Sequence, residues 1–288
     1  MASSVKSVLI TGCSAGGIGA ALAEAFLGKG YHVFATVRNP SKISETLSTS
    51  EHATILMLDV LSPESINAAV ENVKKETNGK LDVLVNNSGG GFVAPALDAS
   101  IEEGKKLFDL NFWAPLAMLQ AFAPLLVNSK GCVVNNSSAN AFLPMPLMSI
   151  YNSSKAALAV GSETWRHELQ PLGVRTITLS TCAVSTRFFN EYHAPELPET
   201  SYYYGIRDFI RHISSGSLQD KAISAEQYAK KVVLEVEKGT SGIVWAGTDA
   251  FMAHLGVALS PRPVLDMIVQ SVVPLSTEMA KAERNKRV

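Results

Sequence analysis

Residues 5–19 read VKSVLITGCSAGGIG. Val5–Ile10 is a short apolar run with the length and branching of a buried strand. Thr11-Gly12-Cys13-Ser14-Ala15-Gly16-Gly17-Ile18-Gly19 follows without a break, and a helical pattern runs from Ala20 to about Lys29. Strand, glycine-rich turn and helix N-terminus in that order form an anion cradle. The glycines let backbone approach, and the helix offers free N–H groups and the positive end of its dipole. Gly12, Ser14, Gly16, Gly17, Ile18 and Gly19 are the candidate binding residues. A glycine-rich turn that binds nothing is the plainer reading, and the position between strand and helix argues against it.

Tyr31–Val37 is the second strand and ends in Arg38. In a dinucleotide fold an acid at this strand end binds the adenosine 2′-hydroxyl, whereas an arginine suits a 2′-phosphate. Val37 fills the acid's place and Arg38 follows, which points to NADP(H) rather than NAD(H). A solvated loop cation is the competing account of Arg38. Thr54–Leu58 is the third strand, closed by Asp59-Val60, and Pro63–Thr77 reads as an amphipathic helix. Leu81–Val85 is the fourth strand and runs into Asn86-Asn87-Ser88-Gly89-Gly90-Gly91. Ile101 to about Leu126 is helical, bent near Pro115 and Pro124, and carries Asn111 in an apolar face. Gly131–Asn136 and the very apolar Gly173–Ser180 are the fifth and sixth strands, Ala225–Glu237 is a helix, and Ile243–Ala246 is a last short strand.

Strands alternating with helices at this spacing predict βαβ units and one Rossmann-type, doubly wound parallel sheet of about seven strands, an α/β fold. Residues 1–288 then form one catalytic domain. Residues 185–220 interrupt the pattern with aromatics (Phe188, Phe189, Tyr192, Tyr202, Tyr203, Tyr204 and Phe209) and read as a substrate lid. Residues 250–288 are a C-terminal extension that could cover a neighbour, close the pocket or touch a lipid surface.

Between the fifth strand and the next helix lies NNSSANAFLPMPLMSIYNSSK, residues 135–155. Tyr151 and Lys155 stand four apart and share a helix face. An ammonium beside a phenol favours phenolate and lowers a pKa that starts near ~10. Ser138, at the strand end, supplies a hydroxyl to hold a substrate oxygen. Together they have the makings of a proton donor for carbonyl reduction, or of a base for the reverse. Taken alone, the Tyr-Lys pair is an ordinary amphipathic helix. The upstream order of elements overturns that.

Composition bounds the alternatives. Apolar content of 47% with 18% charged residues suits a globular core, and a net charge of −1 gives no field for nucleic acid. Cys13, Cys132 and Cys182 are far apart, so no metal site is expected, and they read as reduced thiols of a cytoplasmic protein. No signal peptide or transmembrane segment is read from the sequence; peripheral lipid contact through the basic tail is the remaining membrane option.

The ordered set resembles the short-chain dehydrogenase/reductase family over nearly the whole chain to about Ala246. The pieces are the glycine turn, Asp59-Val60, Asn86-Asn87-Ser88-Gly89, Asn111, Ser138 and Tyr151-x-x-x-Lys155. The resemblance implies that Ser138 orients a carbonyl and Tyr151 moves its proton. Lys155 would hold the nicotinamide ribose, and Asn111 would anchor a relay water. Asp59, Val60, Asn87, Gly89, Val184 and Thr186 would contact cofactor. The one-residue-longer turn and the A-T-V-R strand end look like fungal ketoreductases of lipid and specialised metabolism, close to NADPH-dependent 1-acyldihydroxyacetone-phosphate reductases. Three departures stand out: Ser88 for alanine, Ala141 for glycine, and Thr181-Cys182 for a proline-glycine pair, which puts the nicotinamide pose in question. The expectation is an NADPH-dependent reductase of an apolar or bulky ketone or aldehyde. The alternatives are a cyclase or isomerase on the same scaffold and a cofactor-sensing binding protein. Relatives of this kind form dimers or tetramers through the two long helices, and Phe108, Phe112, Trp113, Leu158 and Trp165 are apolar enough for that, or are ordinary core.

Overall fold

The structure is a computed structural model that describes residues 5–188, 196–219 and 221–285. Seven parallel strands form the central sheet: β1 (Ser7–Ile10), β2 (His32–Val37), β3 (Ala53–Met57), β4 (Val83–Asn86), β5 (Cys132–Asn136), β6 (Arg175–Thr181) and β9 (Gly242–Ala246). Their spatial order is β3-β2-β1-β4-β5-β6-β9, so the order reverses between β1 and β4. Ligands of such sheets sit at the carboxyl ends beside that reversal. The two-residue strands β7 (Val184–Ser185) and β8 (Ile223–Ser224) pair separately beyond the end of β6.

The strands alternate between two cores because successive side chains point to opposite faces. Val8, Ile10, Val33 and Ile177 meet Leu22 and Phe26 of α1 (Ile18–Leu27) and Tyr228 and Val232 of α8 (Ala225–Glu237). Leu9, Phe34, Leu84 and Val133 meet the other layer. That layer is α3 (Pro63–Glu76), α5 (Ala114–Ser129) and α6 (Ser149–Leu169). Helices on both faces are why these strands read as continuous apolar runs.

The expected long helix is instead α4 (Ile101–Phe108), a π-helical turn (Asp109–Trp113) and α5. Pro115 has no N–H to return to the Asn111 carbonyl in α register, and the Ala114 N–H bonds Asp109 instead. Pro124 sits inside α5 without breaking it. The run Ile101–Ser129 is long and apolar enough to cross a membrane by composition. Here its apolar side, including Met118, Phe122 and Leu126, packs on the sheet. Of the five residues proposed for a helix–helix interface, Leu158 and Trp165 are buried core, Phe112 stacks on Trp165, and Trp113 is exposed.

Residues 196–219 are more ordered than their sequence implies. A 3-10 turn (Tyr204–Ile206) leads into α7 (Arg207–Ser214). The apolar side chains buried there are Ile206, Ile210 and Ile213 rather than the aromatics, and Tyr202 is exposed. Phe189 and Tyr192 lie outside the described residues. The C-terminal extension forms α9 (Ala250–Leu259), α10 (Arg262–Val272) and α11 (Leu275–Asn285). Val273, Leu275 and Met279 join the cluster of Ile206 and Ile210, so this tail packs on α7 and the turn before it.

Candidate active site

The glycine turn is built for close approach. Gly16 has φ +80°, a left-handed conformation that glycine adopts without strain. A Cβ on Gly19 would lie 2.2 Å from the Gly12 carbonyl oxygen and 2.6 Å from Asn87 Nδ2, so only glycine lets α1 start against β1. Gly17 caps α1 with no side-chain hydrogen bond, leaving the first-turn N–H groups without a side-chain partner. Ser14 closes the turn through its carbonyl, which accepts from Gly17 N–H at 3.1 Å. Arg187 was not foreseen. Its N–H donates to the Gly16 carbonyl at 3.3 Å, and its side-chain stem lies 3.1 Å from where a Gly16 Cβ would be.

Arg38 stands exposed at the end of β2 and forms no ion pair among the described residues. Asp59 is exposed, and its carboxylate accepts from Leu61 N–H at 3.0 Å. Val60 is buried and packs beside Thr11, Asn86, Ser88 and Pro115 with no room for a water between them. Asn86 Oδ1 is buried with no hydrogen-bond partner among the described residues. Close backbone approach at the glycine turn and a helix start without a side-chain cap fit a dinucleotide at these strand ends.

Lys155 is buried, and its Nζ donates to the Asn136 carbonyl at 2.8 Å. Burial pulls its pKa down from 10.5 to about 8. Gly89 keeps room for that ammonium, since a Cβ there would lie 3.3 Å from Nζ. Tyr151, one turn earlier on α6, packs against the apolar cluster of Val93, Leu147, Met148 and Ile210. Ser138 ends the β5 strand turn; its Oγ accepts from Asn140 N–H at 3.1 Å, which leaves the hydroxyl proton to donate elsewhere. Neighbouring Ser137 is different, because its hydroxyl is spent on the Lys155 carbonyl at 2.8 Å.

Asn111 is fully buried, and its amide is committed to structure. It donates to Gly90 O and Ser154 Oγ and accepts from Gly90 N–H, at 3.0, 2.9 and 2.8 Å. The side chain therefore ties α5's entry to the glycine run and α6. Asn87 donates to Thr11 O at 2.8 Å and so joins β4 to the glycine turn. Val184 points into the core, so only its backbone can face a cofactor, while Thr186 Oγ1 accepts from Phe188 N–H at 3.3 Å. Asn136 was missed. A second asparagine at the end of a buried apolar strand was the available signal, since such an amide needs partners.

The family described as short chain dehydrogenase matches residues 6–197. The chain belongs to the short-chain dehydrogenase family. Like that family's members it is an oxidoreductase acting on CH–OH and C=O groups with a nicotinamide cofactor. It is 44% identical to the short-chain dehydrogenase ptmH of Penicillium ochrochloron over 272 residues, covering 94% of this chain and 99% of that one. It is 35% identical to the NADPH-dependent 1-acyldihydroxyacetone phosphate reductase of Schizosaccharomyces pombe, over 94% of this chain and 95% of the relative. Among solved structures, a short chain dehydrogenase of Burkholderia cenocepacia in complex with NADP has a TM-score of 0.72 at 25% identity, covering 92% of this chain and 97% of that chain. Within this short-chain dehydrogenase the residues of the glycine turn, Asn87, Gly89, Lys155 and Ser138 meet at the carboxyl edge of one sheet.

Proposed function

We propose that this enzyme uses NADPH to reduce the carbonyl of an apolar or bulky ketone or aldehyde to an alcohol. The observation that carries the reading is the buried ammonium of Lys155, anchored on the Asn136 carbonyl one helical turn from Tyr151. A nicotinamide cofactor, when bound, supplies the hydride for the carbonyl carbon. The glycine turn and the α1 start would hold its diphosphate, Asp59 and Val60 its adenine end, and Lys155 the nicotinamide ribose. Ser138 donates a hydrogen bond to the carbonyl oxygen and orients it. Tyr151 Oη gives that oxygen its proton, and below about pH 8 the charge on Lys155 stabilises the phenolate left behind. Reversing these roles makes Tyr151 the base for alcohol oxidation.

Arg38 supports the choice of NADPH, since an unpaired guanidinium at the second strand end suits a 2′-phosphate. The apolar cluster around Tyr151 supports an apolar substrate: Val93, Leu147, Met148 and Ile210 offer no hydrogen bond to a polar ligand. A keto-substrate screen following NADPH absorbance tests the reading, from acyl-dihydroxyacetone phosphates to polyketide-like aromatics. Tyr151→Phe should lower kcat by about 10²–10⁴-fold with NADPH affinity kept. Product formation without net NADPH oxidation would instead favour the cyclase or isomerase. Equal affinity for NADH and NADPH would sink the role given to Arg38.

A further inference from the structure

The residues in the place of the proline-glycine pair are Thr181 and Cys182, and the threonine is joined to a tyrosine on the far side of the sheet. Thr181 Oγ1 lies 2.6 Å from Asn136 Oδ1 and 2.6 Å from the hydroxyl of Tyr228. Tyr228 is fully buried, and burial raises its pKa, so the phenol keeps its proton. Asn136 Nδ2 donates to Asn87 Oδ1 at 3.0 Å, and Asn87 Nδ2 donates to Thr11 O and Gly12 O at 2.8 and 3.3 Å.

The direction of every bond in this chain follows from its last members. Backbone carbonyls only accept, so the Asn87 amide must present its NH₂ to Thr11 and Gly12 and its oxygen to Asn136. Asn136 must then present its NH₂ to Asn87 and its oxygen to Thr181. Thr181 spends its single proton on that oxygen, and Tyr228 is left as donor to Thr181. A one-way sequence of donors thus runs from α8 across the ends of β6, β5 and β4 to the glycine turn. Its members polarise one another along the chain. The residue at its centre, Asn136, is the one whose carbonyl holds Lys155.

We infer that Tyr228 and Thr181 are positioning residues, which fix Asn136 so that its carbonyl holds the Lys155 ammonium in place and ties it to the cofactor turn. Proline would stiffen this strand end through its ring; the threonine does it through a hydroxyl with a partner on each side. The inference rests on the reductase reading only for the role of Lys155, and its test needs neither substrate nor cofactor. The ammonium lies 2.8 Å from the Asn136 carbonyl and beside Gly89, and burial is the cause of its lowered pKa.

The experiment is an NMR titration of lysine side chains in the cofactor-free enzyme, with the Lys155 signal assigned by its loss in Lys155→Met. Thr181→Val keeps the shape of the side chain and removes the hydroxyl. Asn136 then loses its donor, the carbonyl contact that favours charged lysine loosens, and the Lys155 midpoint should fall by about half a pH unit or more. Thr181→Ser keeps the hydroxyl and should titrate as the parent does. Equal midpoints in the valine and serine variants would overturn the inference, even if the valine variant melts lower. If Thr181→Val does not fold, Tyr228→Phe removes only the terminal donor, and an unmoved midpoint there overturns it equally. A parent enzyme that turns over no carbonyl would sink the reductase reading while leaving this titration result standing.

Discussion

The chemistry of single residues turns on how little room they have. Lys155 has a pKa of about 8 in the fold against 10.5 in a solvated chain. Between those values the unfolded chain holds a proton that the folded chain has released, so this residue makes stability rise with pH across that window. Below about pH 8 both states are charged, and the full cost of the buried ammonium is present. Cys13, Cys132 and Cys182 act oppositely, because burial raises their pKa values. Denaturant melts of the cofactor-free parent and of Lys155→Met, compared from pH 7.5 to about 10.5, isolate the lysine. The stability of the parent relative to the variant should climb through that range, and a flat difference would contradict the burial of the charge. Gly19 is the second such residue. Gly19→Ala places a methyl 2.2 Å from a backbone oxygen that cannot move without β1. The expected loss is about 3 kcal/mol or more, with NADPH binding abolished, read by urea melts and calorimetry.

At the scale of elements, α6 matters most because it carries Tyr151 and Lys155 and is held from several sides. Asn111 reaches it from the π-helical turn, Ser137 from β5, and Asn152 pins the preceding loop by donating to Met145 O at 2.8 Å. Leu147, just before the helix, is held at φ +67°, a left-handed conformation costly for leucine. Its carbonyl accepts from Ala94 N–H at 2.8 Å, so the strained turn joins the α6 entry to the loop after β4. Tyr151 packs on the cluster that includes Ile210 of α7, 1% exposed. Ile210→Ala should cost about 2–5 kcal/mol if that element unfolds with the rest. If α7 opens by itself, KM should rise while the global melting point holds. Parallel thermal melts and steady-state kinetics separate these outcomes.

For the molecule as a whole, the C-terminal helices pack on the cluster that Tyr151 joins. Val273, Leu275, Met279 and Ala282 belong to one cluster with Ile206, Ile210 and Tyr151. A chain ending at Val272 should therefore keep its sheet and its NADPH affinity, since the glycine turn lies apart from that cluster. It should lose affinity for an apolar substrate by at least about tenfold, the equivalent of one well-buried side chain. Circular dichroism, cofactor titration and KM measured on the truncated chain check this together. Unchanged KM would mean that the tail only decorates the fold.

Residue order alone specifies the α/β alternation, the seven-stranded sheet, the placement of the glycine turn, Arg38, Asp59, Asn86, Ser138 and Thr186 at strand ends, and Tyr151 and Lys155 one turn apart on a helix. These follow from local pattern: apolar runs of strand length, glycines where backbone must pass, and a four-residue helical spacing. The fold had to show that the Asn111 amide is bound up in structure and that Leu158 and Trp165 face inward. It alone brought Tyr228 to Thr181 and the C-terminal helices to α7. Those are pairings between residues dozens of positions apart, and a hydrogen bond or an apolar contact leaves no periodic trace in the chain when its partner lies on another element.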